Sequence, residues 1–206
     1  MKNTFSKGFT LVEMLIVVTI IAALAAAVVV VLNPMELLAQ GRDAQRMSDL
    51  STVQDALRIL LARGLVPAPS LCADGAVAGG GCNDGGICMV NPVVGLDGNG
   101  PFSVTTCGGT NETRGVDGSG WVDVILTDVR VGGSPIVILP IDPVHNTSFF
   151  YAYKATAGAL GTFKLAGRLE SVRYRPMMIN DGGTRNDCAI HTAATCFYEI
   201  GSNLAL

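Results

Sequence analysis

The sequence predicts an α+β fold in which a long N-terminal helix, part membrane-spanning and part amphipathic, packs on a small antiparallel β-sheet head. Three observations support this prediction: a long apolar run near the N-terminus, a helical apolar pattern after it, and short β-type segments in the C-terminal part. The 206 residues are 49% hydrophobic and 15% charged, with a formal net charge of −3. This composition is too apolar for a disordered chain and provides no basic field for nucleic-acid binding.

The apolar run, residues 9–32, follows a short basic segment, residues 1–8, that contains Lys2 and Lys7. Its 24 residues include one charged side chain, Glu13. At about 1.5 Å per residue the run spans roughly 36 Å as a helix, which is enough to cross the hydrocarbon core of a membrane. Because both lysines precede the run, the positive-inside rule predicts a cytoplasmic N-terminus and an external remainder.

Two plainer interpretations compete for this segment, a simple signal anchor and a cleaved secretory signal. The anchor gives Glu13 no role, and the cleaved signal would use Ala25-Ala-Ala27 as its cleavage site. The apolar run, however, continues past that site through residues 28–32. A charged group inside a spanning helix also costs about 2.5–3.5 kcal/mol and is functional by default. Both observations favour a specific role for Glu13.

The N-terminal motif is the most specific pattern in the chain. It reads Lys7-Gly-Phe-Thr-Leu-Val-Glu-Met-Leu15. This motif resembles the class III signal of type IV pilins and type II secretion pseudopilins, and every matched position is present. The resemblance implies that a prepilin peptidase recognises Lys7 and Gly8, cuts after Gly8 and N-methylates Phe9.

The resemblance also implies a role for Glu13, which becomes the fifth residue of the mature chain. Cleavage leaves a cationic amine on Phe9, and burying that charge alone among apolar helices is costly. In this family the glutamate pairs with the amine of a neighbouring subunit and sets the axial register of a filament. The apolar helix, including Leu11, Leu15 and Ile16, then supplies the packing surface.

Residues 33–64 are predicted to form the amphipathic half of the helix. Pro34 predicts a kink or a short unwound segment, because proline removes a helix hydrogen bond. Gly64 is predicted to cap the helix, and Pro67 prevents its continuation. The apolar stripe that we assign to the core comprises Leu38, Met47, Leu50, Val53, Leu57 and Leu60. The charged residues assigned to the other faces are Arg42, Asp43, Arg46, Asp49, Asp55 and Arg58.

Two further regions complete the predicted organisation. Residues 65–120 form a long Gly- and Cys-rich loop region, whose glycine runs lack the features of a phosphate-binding loop. Residues 121–206 form the β-sheet head. Its predicted strands lie within 121–126, 136–139, 149–153 and 163–169, with the last two paired through the turn at 157–161.

Six cysteines favour disulfides in an exported domain over a metal site, since the sequence contains no C-x-x-C pair. We predict a Cys188–Cys196 disulfide, because seven residues separate the two and pilin-like proteins often close a C-terminal loop in this way. The remaining candidates, whose pairing stays open, are Cys72, Cys82, Cys88 and Cys107.

No enzyme or resident cofactor is predicted. His145 and His191 are isolated, and no catalytic constellation is present. Two turn sequences, beginning at Asp97 and Asp181, leave calcium as an open alternative, because major pseudopilins bind it in the head. Neither turn continues into an EF-hand loop.

A basic segment at residues 154–175 leaves single-stranded DNA binding as a weaker alternative. A solvated strand explains that segment better than a nucleic-acid site does. Its members are Lys154, Lys164, Arg168, Arg173 and Arg175, with Tyr174 between the last two.

The sequence therefore predicts a structural subunit of a type IV pilus-like filament, processed after Gly8 and polymerised through its N-terminal helix. The alternatives are a pseudopilin that drives protein export in type II secretion and a minor pilin that binds DNA during uptake. The expected partners are a prepilin peptidase, other copies of this chain, other pilin-like subunits, inner-membrane assembly proteins and, before assembly, the membrane. The expected location is the cytoplasmic membrane and then a surface filament or a periplasmic pseudopilus.

Overall fold

The computed structural model describes residues 8–62, 87–88, 109–110, 113–122, 124–127, 133–146, 148–155, 162–188 and 196–205. The chain divides into two compact units, Met1–Leu38 and Ala39–Leu206. The fold is α+β, as the sequence predicts. Most of the predicted Gly- and Cys-rich loop region lies outside the described residues.

The first unit contains α1, Leu11–Leu32, and the start of α2, Pro34–Ala62. Asn33 lies between the helices in the left-handed conformation, with a φ of 40°. Asparagine tolerates this conformation better than most residues do. The Asn33 carbonyl accepts hydrogen bonds from the backbone N–H groups of Glu36 and Leu37, so the first turn of α2 begins immediately after the break.

The second unit is built on a five-stranded sheet in the order β2-β1-β3-β4-β5. The central hairpin pairs β3 with β4 antiparallel, and β5 is antiparallel to β4, which confirms the pairing predicted for the two segments around the 157–161 turn. At the other edge β1 is antiparallel to β3 and parallel to β2. The strands are β1 Ile87–Cys88, β2 Gly109–Thr110, β3 Ala152–Ala155, β4 Phe163–Gly167 and β5 Tyr198–Gly201.

The core forms between α2 and the sheet. Four members of the predicted stripe are buried, but Leu38 is 58% exposed and Met47 is only partly buried. Each fully buried aliphatic side chain contributes about 1.5–3 kcal/mol relative to an exposed one. Besides Leu50, Val53, Leu57 and Leu60, the core includes Trp121, Val122, Val124, Leu126, Leu139, Tyr151, Tyr153, Phe163 and Leu165.

The strand predicted at 136–139 is wrong, because that segment is irregular, and the described residues of 121–126 form only an isolated antiparallel bridge, between Asp117 and Ile125. Other backbone hydrogen bonds of these segments go to a neighbouring loop: the Trp121 N–H donates to the Thr113 carbonyl, and the Leu139 N–H donates to the Arg114 carbonyl. A Cβ at Gly120 would overlap the backbone of Gly115, so glycine permits this close approach. The apolar alternation therefore reflects burial of the side chains more than strand pairing.

Asp43 and Arg46, assigned from the sequence to outward faces of the helix, are fully buried. The Arg46 guanidinium donates from Nε to Asp142 Oδ2 at 2.7 Å and from Nη2 to Asp142 Oδ1 at 3.0 Å. Its Nη1 donates to Asp43 Oδ1 and to Glu170 Oε1, both at 2.8 Å. These charges can be buried because each has an ionic partner. We call Arg42, Asp43, Arg46, Asp142 and Glu170 the charge cluster.

The charge cluster connects α2 to two distant loops. Asp43 accepts the backbone N–H groups of Glu170 and Ser171, and Asp142 accepts those of Val144 and His145. Burial alone would lower the pKa of Arg46, but its carboxylate partners, Asp142 first, raise it instead. The cluster therefore fixes the position of α2 on the head through charged hydrogen bonds.

Candidate processing and assembly site

The predicted cleavage position lies in an open segment before α1. Gly8, Phe9 and Thr10 are not helical, and the Phe9 side chain is 82% exposed. A Cβ placed on Gly8 would meet nothing within 4 Å. The fold of the chain therefore gives no reason for glycine at this position. Lys7 lies outside the described residues.

Thr10 and Glu13 form a capping box at the N-terminus of α1. The Glu13 N–H donates to Thr10 Oγ1 at 3.2 Å, and Glu13 Oε2 accepts from the Thr10 N–H and from the Thr10 hydroxyl, both at 2.8 Å. This arrangement satisfies two backbone donors at the helix end. The Glu13 carboxylate is thus held within its own chain. The sequence analysis missed Thr10, although the spacing Thr-x-x-Glu is the signature of a capping box.

The surface of α1 is apolar on all sides. Leu11, Leu15 and Ile16, the predicted packing residues, are 81%, 56% and 50% exposed. By length and composition, Leu11–Val29 could cross a membrane, and none of it is buried in the structure. A helix that is apolar all round is stable only where lipid or protein surrounds it. The partner of this surface must therefore come from outside the described chain.

The Cys188–Cys196 disulfide is present, with 4.8 Å between the two Cα atoms. It fixes the chain just before β5, and Cys196 is fully buried beside Met178 and Leu169. This confirms the predicted pairing. Cys72, Cys82 and Cys107 lie outside the described residues, and the backbone of Cys88 belongs to β1.

In the acidic turn at Asp181, the carboxylate accepts hydrogen bonds from backbone N–H groups. Asp181 Oδ1 accepts the Gly183 N–H at 2.8 Å, and Asp181 Oδ2 accepts the Glu199 N–H at 2.7 Å. Within the described part of the chain no group of three or more His, Cys, Asp or Glu residues is arranged to bind a metal. The other candidate calcium turn, at Asp97, lies outside that part.

Most of the basic segment that raised the DNA alternative is engaged inside the head. Lys164 is buried and pairs with Glu199, with Nζ and Oε1 2.8 Å apart. Arg168 is buried, donates to the carbonyls of Cys196 and Ser148, and lies over the Phe197 ring; burial lowers its pKa to about 10. Arg175 donates to the Glu170 carbonyl. Lys164 and Arg168 are therefore not surface cations, and Arg175 is partly engaged by its backbone contact.

Comparison with known proteins agrees with the N-terminal geometry. Residues 4–29 match the family model described as the prokaryotic N-terminal methylation motif, which spans Gly8, Glu13 and most of α1. No curated protein and no solved structure matches the chain. The family that this motif marks is structural, not catalytic. The chain therefore carries at its N-terminus the prokaryotic methylation motif that is the signature of type IV pilins and pseudopilins.

Proposed function

We propose that this protein is a structural subunit of a type IV pilus-like filament that polymerises through α1. The observation that carries the proposal is the all-round apolar surface of α1, most of which lies within the methylation motif. In the membrane, lipid covers this surface. In the filament, the same surface packs against the helices of other subunits.

The processing step follows from the open segment before α1. A peptidase needs access to an extended backbone, and Gly8 has nothing within 4 Å of a would-be Cβ. We propose that cleavage after Gly8 frees the amine of Phe9, which is then N-methylated. The leader with its basic residues stays on the cytoplasmic side, and the head is external.

The register of the filament rests on Glu13. In the isolated chain its carboxylate accepts hydrogen bonds from Thr10, and a carboxylate has further acceptor sites. We propose that assembly adds the charged amine of a neighbouring Phe9. A buried ion pair of this kind contributes specificity more than stability. An incorrectly staggered subunit would leave both charges unpaired among apolar side chains, which is costly.

The second half of α1 supplies close packing. Its alanines are Ala22, Ala23, Ala25, Ala26 and Ala27. Small side chains let helices approach closely where no difference in hydrophobicity drives their association. This segment suits the transfer from lipid to a helical bundle.

A pseudopilin of a secretion system is the second candidate, because pseudopilins carry the same motif. In that case the filament is short and confined to the envelope, and calcium binding in the head is expected. Calcium titration of the full chain, followed by the thermal midpoint of unfolding, distinguishes the two: a shift at micromolar calcium favours the pseudopilin.

The direct test is intact-mass and N-terminal analysis of the protein in sheared surface filaments and in the membrane fraction. A chain that begins at N-methylated Phe9 in sheared material supports the pilus subunit. The same chain found only in membranes favours the pseudopilin. A soluble chain that begins near Val28 would contradict both.

A further inference from the structure

A groove lies between the 3₁₀ helix Arg175–Met178 and the edge strand β5. Its volume is about 440 Å³. The residues that line it are Pro176, Met177, Asn180, Asp181, Tyr198, Glu199 and Ile200. The lining therefore combines apolar and aromatic side chains with polar ones, which is the usual composition of a binding site.

The two carboxylates at the groove differ in how they are neutralised. Glu199 forms an ion pair with Lys164 and also accepts the N–H groups of Thr184 and Arg185. Asp181 accepts two backbone N–H groups, and within the described part of the chain no cation pairs with it. The groove therefore contains one negative charge that lacks a counter-charge there.

Tyr198 adds a second unused group. Its hydroxyl makes no hydrogen bond to the residues that the structure describes, and its ring forms a wall of the groove. Burial, and then the nearby Asp181 charge, raise the pKa of this hydroxyl. Burial also raises the pKa of Asp181, to which the Glu199 charge adds. A cation in the groove would therefore relieve the uncompensated charge on Asp181.

We propose that this groove binds the side chain of a lysine or arginine presented by a partner protein. The charged head pairs with the Asp181 carboxylate, which retains acceptor capacity on both oxygens. The aliphatic stem lies along Met177 and Ile200, since long basic side chains cover apolar surface with their methylene groups. The Tyr198 ring adds a cation–π contact, which is worth about 0.5–1 kcal/mol at an exposed site.

The test uses two small probes of matched shape, n-butylguanidinium and the neutral n-butylurea, with the full chain in detergent micelles. We expect butylguanidinium to cause saturable chemical-shift changes at the backbone amides of Asn180, Tyr198 and Glu199. Binding of butylurea is expected to be about tenfold weaker or absent, because charge-assisted hydrogen bonds are roughly twice as strong as neutral ones.

Two variants locate the site. Asp181→Asn removes the charge, and Tyr198→Leu removes the aromatic ring. Both should weaken butylguanidinium binding, Asp181→Asn the more strongly, while Asp55→Asn on the exposed face of α2 should have no effect. Equal binding of both probes, or unchanged binding by Tyr198→Leu and Asp181→Asn, would overturn the proposal. So would displacement of the probe by calcium chloride at lower concentration, which would identify a divalent-cation site.

Discussion

The two helices reverse the usual relation between composition and burial. In α1, apolar side chains such as Leu11 and Ile16 are exposed. In α2, Asp43 and Arg46 are completely buried although both are charged. The difference lies in the partners: the head supplies Asp142 and Glu170 to α2, whereas α1 has an apolar surface that nothing in the described chain covers.

This comparison shows that burial is decided by what an element meets, not by its own residues. A charged helix face is stable inside a protein when each charge is paired and hydrogen-bonded. An apolar helix face is stable outside the domain only when lipid or another subunit surrounds it. The exposed surface of α1 therefore requires lipid or protein around it, and the charge cluster is evidence for a fixed α2.

The largest effect is expected for Gly8→Val. We expect complete loss of processing and of filaments, with the head folded normally, because a side chain at Gly8 meets nothing in the chain. Intact-mass analysis should show residues 1–8 retained. The matched control is Gly41→Ala in α2, where a Cβ also has open space and processing should be normal. Normal cleavage of Gly8→Val would contradict the proposed processing site.

The charge cluster predicts the next largest effect. Arg46→Leu should lower the free energy of unfolding by about 3–5 kcal/mol, because it leaves Asp43 and Asp142 buried without their cation. Urea unfolding of the full chain in detergent, followed by fluorescence of Trp121, measures this effect, since Trp121 is the sole tryptophan and is buried.

Arg58→Ala is the control for that measurement. The Arg58 side chain is 59% exposed, and its Nη1 lies 3.9 Å from Asp55 Oδ1. Its loss should therefore change the free energy of unfolding by less than about 1 kcal/mol. If the two variants destabilise equally, the charge cluster does not fix α2, and the contrast between the helices loses its energetic basis.

The disulfide predicts an intermediate effect. Replacing Cys188 and Cys196 by serine should lower the free energy of unfolding by about 2.5 kcal/mol, because the short loop that they close gains entropy in the unfolded chain. Urea unfolding of the double variant in the same assay measures this effect. Unchanged stability would show that the Cys188–Cys196 disulfide does not stabilise the head.

The smallest expected effect is on the free energy of unfolding at acid pH. Burial would raise the pKa of Glu170, but hydrogen bonds from Arg42 and Arg46 outweigh it and lower the pKa below the ordinary value of 4.5. The stability that Glu170 contributes is therefore complete above that value and is lost as the pH falls through its folded-state pKa. Glu170→Gln should therefore flatten the acid limb of the unfolding curve below pH 4.5. An unchanged limb would assign acid sensitivity to other carboxylates.

Local patterns were predictable from the sequence, and long-range pairings were not. The stripe at Leu50, Val53 and Leu57 and the β3–β4 pairing follow from periodicity and turn residues. Burial of Arg46 depends on Asp142, which is 96 residues away in the chain. No local pattern specifies that partner.

The same distinction applies to the candidate site. The methylation motif is a contiguous signal, so it was recognised from the residues and is matched by the family model. The groove at β5 combines Asp181 with Tyr198 across the disulfide-bonded loop, and the edge strand itself was not predicted. Its geometry depends on how residues 176–181 pack against β5.

The hydrogen bond from a backbone N–H of β5 to the Asp181 carboxylate protects the outer edge of the sheet. The Glu199 N–H at the outer edge of the sheet is occupied by the Asp181 carboxylate, and Gln54, in its favourable amide orientation, accepts the Gly201 N–H at 3.1 Å. An edge with free donors is a template for pairing with the next sheet and for irreversible aggregation. Because the outward N–H groups of Glu199 and Gly201 are both occupied, this edge of the head offers neither donor to the sheet of a neighbouring copy.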